Sequence, residues 1–125
     1  MNEKNLDFFK LANYIAGPAL IILGFLGFVP AVTPNGMVFG VFMVDGFHNC
    51  VHITTGFILL IAGLKPNRLM IIVTFLIGFA FLALAIFGFF VPASGGMFNF
   101  SDNLLHLAIS LFSLFQGWII TKVSE

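Results

Sequence analysis

Residues 69–91 read LMIIVTFLIGFAFLALAIFGFFV, and this uncharged stretch decides the class of fold. A helix needs roughly 20 apolar residues to cross the hydrocarbon layer of a membrane. Three further stretches meet that requirement, at about 11–29, 47–64 and 103–121. None of the four alternates apolar and polar residues as the strands of a membrane barrel do. The sequence therefore predicts an all-α membrane protein, with four transmembrane helices forming one bundle and one domain over residues 1–125.

The composition leads to the same class of protein. Of the 125 residues, 60% are hydrophobic and 8% are charged, whereas a typical soluble domain has about 25% charged residues. So few charges cannot cover the surface of a soluble protein, and we therefore expect membrane lipid to surround the helices. The net charge is zero, and scattered basic residues cannot follow a phosphate backbone, which excludes nucleic-acid binding. Assembly as a homo-oligomer or within a larger membrane complex stays open.

The basic residues all fall on one side of the predicted membrane. They lie near the two termini and in the turn between the second and third spans, at Lys4, Lys10, Lys65, Arg68 and Lys122. Basic residues are enriched in cytoplasmic segments. The pattern predicts a multi-pass protein of the cell membrane with both termini in the cytoplasm. Residues 1–10 are predicted to lie along the inner membrane surface.

Two short polar segments open the second and fourth spans and resemble each other. The first, DGFHNCVH, occupies residues 45–52, and the second, SDNLLH, occupies residues 101–106. Aligned on one another, they pair His48 with Asp102, Asn49 with Asn103, and His52 with His106. Matching polar residues at fixed offsets indicate an internal repeat.

The ends of the first and third spans support the repeat. Phe-Val-Pro occupies residues 28–30 and again residues 90–92. Each unit then contains two spans, which keeps the orientation of both copies the same. The chain is predicted to form two tandem helical hairpins, about 11–64 and 69–121, related by a pseudo-two-fold axis along the membrane normal. The first outer loop is predicted to carry an insertion of eight residues.

The polar residues of the fourth span continue as a stripe along one face of a helix. Spacings of three and four connect Asn103, His106, Ser110, Ser113 and Gly117. The corresponding positions of the second span are Asn49, His52, Gly56, Leu59 and Gly63. Polar side chains need partners away from lipid, so both stripes are predicted to face the inside of the bundle. The candidate site residues are Asp45, His48, Asn49, His52, Asp102, Asn103 and His106.

Four interpretations of these residues stay open, the last of which is a role in lipid binding, quinone binding or transport. In the first, the cluster forms hydrogen bonds that hold the two halves together, and the aspartates cap helix starts. In the second, His48, His52 and His106 bind a metal ion, and the combination of imidazoles suits zinc or copper. In the third, His52 and His106 are axial ligands of a haem between the halves.

The sequence favours the first interpretation, a non-enzymatic role and no cofactor. It contains no serine nucleophile motif, phosphate loop or dinucleotide fingerprint. A conducting pore is not expected, because no continuous polar lining extends beyond the outer third of the spans.

The paired motifs His48-Asn49-x-x-His52 and Asp102-Asn103-Leu104-Leu105-His106 resemble those of an uncharacterised bacterial family. That family consists of small four-helix membrane proteins and is catalogued only as a domain of unknown function. The resemblance covers most of the chain, from the first span to the fourth. It implies the four-helix fold, and because the family has no established activity it implies no substrate.

Overall fold

Four long helices make up most of the chain. The computed structural model describes residues 2–91 and 98–122, with side chains described up to residue 120. The helices are α1 Glu3–Leu26, α2 Gly46–Leu64, α3 Arg68–Phe90 and α4 Phe100–Lys122. Each is long and apolar enough to cross a membrane, which confirms the predicted four-helix membrane fold.

Helix α1 begins and ends earlier than the sequence predicted. The predicted span was 11–29, with residues 1–10 as a separate surface segment, but the helix begins at Glu3. The side chain of Asn2 accepts a hydrogen bond from the backbone N–H of Lys4, which caps the first turn. Phe9 is fully buried against Ala62 of α2 and Ile120 of α4. The cap and this packing make the N-terminal residues part of the helix, which therefore extends beyond the predicted span at its start.

The helices associate as two pairs. Helix α1 packs on α2, and α3 packs on α4, while α2 and α3 meet at few positions. The first pair crosses at Gly17 and Gly56, where a Cβ added to Gly17 would lie 2.8 Å from the carbonyl oxygen of Gly56. Only residues without a side chain allow two backbones to come this close. The predicted pair of tandem hairpins is therefore present.

The same helix positions are buried in both halves of the chain, as the predicted repeat requires. Buried residues of α1 recur 61 positions later in α3, as Asn13 and Thr74, Gly17 and Gly78, Leu20 and Phe81, Gly24 and Ala85. All eight buried residues of α2 recur 54 positions later in α4, beginning with His48 and Asp102. The first loop is therefore longer by seven residues. The predicted eight came from aligning Phe-Val-Pro, and the second copy of that triplet extends to Pro92, which lies outside the described residues.

Two apolar clusters fill the interior of the bundle. The first takes one residue from each helix, namely Leu20, Leu59, Phe81 and Ile109. The second lies nearer the chain termini and consists of Phe9, Ala62 and Ile120. Large apolar side chains cover the outside as well, where lipid surrounds them.

The connection between α1 and α2 ends in a small β-hairpin. Two 3₁₀ turns, Pro30–Val32 and Pro34–Gly36, lead into strand β1 (Met37–Val38), which pairs antiparallel with β2 (Phe42–Met43). The side-chain N–H of Asn99 donates to the carbonyl oxygen of Val41 at 2.7 Å. The hairpin is thus held at the start of α4, at the same end of the bundle as the histidines.

Candidate functional site

The start of α2 fixes the position of the first two histidines. Asp45 is the N-cap residue, and its Oδ1 accepts a hydrogen bond from the backbone N–H of His48 at 2.7 Å. This cap sets the register of the first turn. His52 follows one turn later on the same face, and its ring centroid lies 4.4 Å from that of His48.

The start of α4 uses a reciprocal version of the same cap. The backbone N–H of Asn99 donates to Asp102 Oδ2, and the backbone N–H of Asp102 donates to Asn99 Oδ1, both at 2.9 Å. Asn99 and Asp102 occupy the repeat positions of Asp45 and His48. The arrangement is a capping box, so the spacing Asn-x-x-Asp in the sequence could have identified Asn99.

The three histidines converge between α2 and α4. His48 Nε2 lies 3.2 Å from His106 Nε2, and the ring centroids of His52 and His106 are 5.9 Å apart. One potential ligand atom from each residue lies within 4.8 Å of the others. All three side chains are buried. The structure therefore brings together the three candidate metal ligands, from both halves of the repeat.

The two asparagines of the motifs do not join this cluster. The side chain of Asn49 packs against Gly27 of its own hairpin, at the end of α1, and Asn103 packs in the same way against Gly88 of α3. Each amide occupies the space that a Cβ would need at the facing glycine. Among the seven candidate residues, the asparagines thus join helices within a hairpin and do not bridge the halves.

Most nitrogens of the histidine rings lack a hydrogen-bond partner among the described residues. Both ring nitrogens of His52 are unpaired, as are Nδ1 of His48 and Nδ1 of His106. A buried polar atom without a partner costs about 1–3 kcal/mol. These ring nitrogens are therefore available to bind an ion or a small molecule.

Aromatic rings and a small cavity surround the histidines. The ring of Phe98 lies 4.8 Å from that of His106, and the ring of Phe81 lies 5.5 Å from it. A cavity of about 120 Å³ is lined by both His48 and His106. Sequence reasoning missed the two phenylalanines, because nothing separates them from the other sixteen in the sequence.

The geometry does not fit a haem. Pockets for drug-sized ligands have volumes of about 300–1,000 Å³, and the cavity beside the histidines has only about 120 Å³. Gly56, which could have marked space for a macrocycle, instead contacts the backbone of α1 at Gly17.

A second polar contact lies towards the other end of the bundle. The side-chain N–H of Asn13 donates to Gln116 Oε1 at 2.9 Å, and both residues are fully buried. Buried Ser110 and Ser113 lie on α4 between Gln116 and His106. Buried polar side chains therefore continue along α4 well past the histidines. The sequence-based statement that the polar lining stops at the outer third of the spans was wrong for this helix. Gln116 lies three residues after Ser113 and directly before Gly117, so the same helix face in the sequence could have included it.

The fold and the site define the class of this protein: a four-helix integral membrane protein with a buried histidine cluster at one end of the bundle. The chain belongs to the family described as "Domain of unknown function (DUF4383)", which matches residues 10–119. No curated protein and no solved structure matches the chain.

Proposed function

We propose that this protein binds a first-row transition metal ion, zinc or copper, through His48, His52 and His106. The observation that carries the proposal is the convergence of three buried imidazoles with potential ligand atoms within 4.8 Å of one another. Neutral imidazole is a preferred ligand of both ions. Unpaired ring nitrogens leave the rings available for coordination.

The distances between the rings suit a metal site of tetrahedral or trigonal geometry, provided that one of the three rings moves inwards. With Zn–N bonds of about 2.0–2.1 Å, two nitrogens of a tetrahedral site lie about 3.4 Å apart. The Nε2 atoms of His48 and His106 are 3.2 Å apart. The ring of His52 is farther from His106, with centroids 5.9 Å apart, so it has to move inwards on binding. Three protein ligands leave one coordination position for a water molecule or another small ligand.

We also propose that the site lies at the extracytoplasmic side of the cell membrane, with both chain termini in the cytoplasm. The basic residues support this orientation, because Lys65 and Arg68 border the turn at the end opposite to the histidines. An ion from outside the cell would then reach the histidines without crossing the bundle.

A structural role for the same histidines is the second candidate. The single contact of 3.2 Å between His48 Nε2 and His106 Nε2 favours it, because it joins the two hairpins directly. This role predicts loss of stability on substitution of either residue, with no change in metal content.

The metal proposal is tested on protein purified with a tag that contains no histidine. All three histidines of the chain belong to the cluster, so imidazole coordination in untagged protein can arise only there. We expect one Zn²⁺ or copper ion per chain by elemental analysis after loading and desalting, and a Co²⁺ derivative with tetrahedral absorption bands. His52→Ala should abolish both signals. Thr54→Val, a change on the exposed face of the same helix, should alter neither.

Wild-type protein that retains no ion after loading would overturn the proposal, as would equal retention by His52→Ala. The orientation is tested separately in a Cys50→Ser background. A membrane-impermeant maleimide should label Asn35→Cys in intact cells and should label Lys65→Cys only after the membrane is opened. Labelling in the reverse order would contradict the orientation.

A further inference from the structure

The cavity beside the histidines lies between α2 and α3. Its walls include Phe47 and Val51 on α2, and Leu84 and Phe87 on α3. Phe47 and Phe87 are exposed on the outside of the bundle. These two helices meet at few positions. A molecule dissolved in the membrane can therefore reach the cavity from the side, past these two phenylalanines.

The size and the walls of this cavity fit one aromatic ring. An engineered apolar cavity of about 150 Å³ in another protein binds benzene, and the cavity here has a volume of about 120 Å³. Three of its lining residues are Phe47, Phe87 and Phe98. Aromatic side chains pack favourably against another ring in edge-to-face or offset arrangements.

The cavity also offers a specific polar partner. His48 and His106 line it, both are more than nine-tenths buried, and each keeps an Nδ1 atom without a hydrogen-bond partner in the described part of the chain. Asp45 is exposed at the same cavity, where its Oδ1 accepts from the backbone of α2 and its Oδ2 is a competing acceptor for a hydroxyl group. Because one Nε2–H donates to the other Nε2 between two neutral rings, the Nδ1 of the donating ring is unprotonated and accepts a hydrogen bond from a hydroxyl group, while the other Nδ1 carries a proton. A ring that carries a hydroxyl group would satisfy such an atom, whereas a plain hydrocarbon ring would leave it unpaired.

From these observations we propose that the cavity binds a phenolic ring borne by a lipid, the chemical class that includes quinol headgroups. The ring lies among the phenylalanines, its hydroxyl group donates to a histidine, and its alkyl chain leaves between α2 and α3 into the membrane. This inference does not require a bound metal ion.

Two probes of nearly equal size separate recognition of the hydroxyl group from filling of an apolar space. We would measure binding of 4-fluorophenol and 4-fluorotoluene to metal-free protein in nanodiscs by ¹⁹F NMR, each relative to its concentration in the lipid. A hydrogen bond of ordinary net strength predicts about a tenfold preference for the phenol. His106→Leu, combined with His48→Leu if needed, should remove the preference.

A substitution in the wall tests the location without touching the histidines. Leu84→Trp should fill the cavity and reduce phenol binding at least tenfold while the zinc content after loading stays that of the wild type. Leu76→Trp, on the exposed face of the same helix, serves as the control and should bind the phenol normally. Because zinc content is measured on the same samples, failure of this inference is distinguishable from failure of the metal proposal.

The lipid source is tested by competition with 2-decyl-1,4-hydroquinone, which carries both the ring and a chain. We expect it to displace 4-fluorophenol from the wild type. If it does not displace 4-fluorophenol, the proposal that the ring belongs to a lipid is wrong. Equal binding of the two fluorinated probes, no binding of either, or unchanged phenol binding by Leu84→Trp would overturn the site itself.

Discussion

The side-chain N–H of Asn13 on α1 donates to Gln116 Oε1 on α4 across 2.9 Å, so the two helical hairpins are joined through a fully buried pair of amides. At the other end of the bundle, His48 and His106 join the hairpins again, over 3.2 Å. The apolar cluster that includes Leu59 lies between these contacts. The halves of the repeat are thus connected by two polar contacts, with apolar packing between them and again beyond the amide pair, at Phe9, Ala62 and Ile120.

The amide pair should contribute measurable coupling between the hairpins. In a double-mutant cycle of Asn13→Ala and Gln116→Ala, we expect a coupling energy of about 0.6 kcal/mol, with an upper limit of about 1.7 kcal/mol, as found for hydrogen bonds between membrane helices. The free energy of unfolding would be measured in mixed detergent micelles. Asn13→Ala and His48→Ala, which lie at opposite ends of the bundle, provide the control cycle and should be additive. A coupling of zero between Asn13 and Gln116 would contradict the role of the pair.

The contact between Gly88 and Asn103 predicts that a second substitution can restore stability lost by the first. A Cβ at Gly88 would occupy the position of the Asn103 side-chain amide. Gly88→Ala should therefore destabilise the protein by about 1–3 kcal/mol through overpacking. Adding Asn103→Ala removes the obstacle and should recover part of that loss, measured as the difference in unfolding free energy. Gly46→Ala is the matched control, since its new Cβ would meet only Phe28, at 3.9 Å. Absence of any recovery in the double variant would show that the glycine serves another purpose.

At the crossing of α1 and α2, we expect Gly17→Ala to lower the free energy of unfolding. No single change of a neighbouring side chain should restore it. A Cβ at Gly17 would lie 2.8 Å from the carbonyl oxygen of Gly56 and 2.8 Å from the backbone nitrogen of Leu60. Backbone atoms cannot rotate away, so the helices must separate. We expect Gly17→Ala to cost more unfolding free energy than Gly88→Ala, and Leu60→Ala in the same chain to restore none of it. A smaller effect for Gly17→Ala would mean that the pair of helices tolerates separation at this point.

The apolar runs and the gaps between charges were sufficient to predict four membrane helices, because crossing a membrane places a strict demand on length and hydrophobicity. The true start of α1 was not predictable in this way. It depends on burial of Phe9 against Ala62 and Ile120, which are distant in sequence. The N-cap residue Asn2 is a local signal for this boundary, whereas the tertiary contacts of Phe9 leave none in the local sequence.

The site was predictable to a similar extent. Spacing along the helices and the internal repeat were enough to bring His52 and His106 to the same interior. They could not show that Asn49 turns towards Gly27, because the direction of a side chain at the edge of a buried face depends on the rotation of the helix. The pairing of Asn13 with Gln116 involves residues in no common motif, and only their shared burial reveals it.

Metal binding predicts a specific change in stability. An ion that binds only the folded protein stabilises it by about 2.7 kcal/mol when its free concentration is 100 times the dissociation constant. Zn²⁺ should therefore raise the unfolding free energy of the wild type by that amount, and EDTA should reverse the gain. His52→Ala should lose the zinc-dependent gain while keeping the contact between His48 and His106, so its stability without metal should change little.

That combination distinguishes the two roles of the cluster. Both ring nitrogens of His52 lack a hydrogen-bond partner among the described residues, so a purely structural cluster gives no reason for an imidazole at this position. If His52→Ala destabilises the metal-free protein by as much as His106→Ala does, and zinc stabilises neither the variant nor the wild type, the histidines serve to join the hairpins. If zinc stabilises only the wild type, the unpaired nitrogens of His52 have their explanation in coordination.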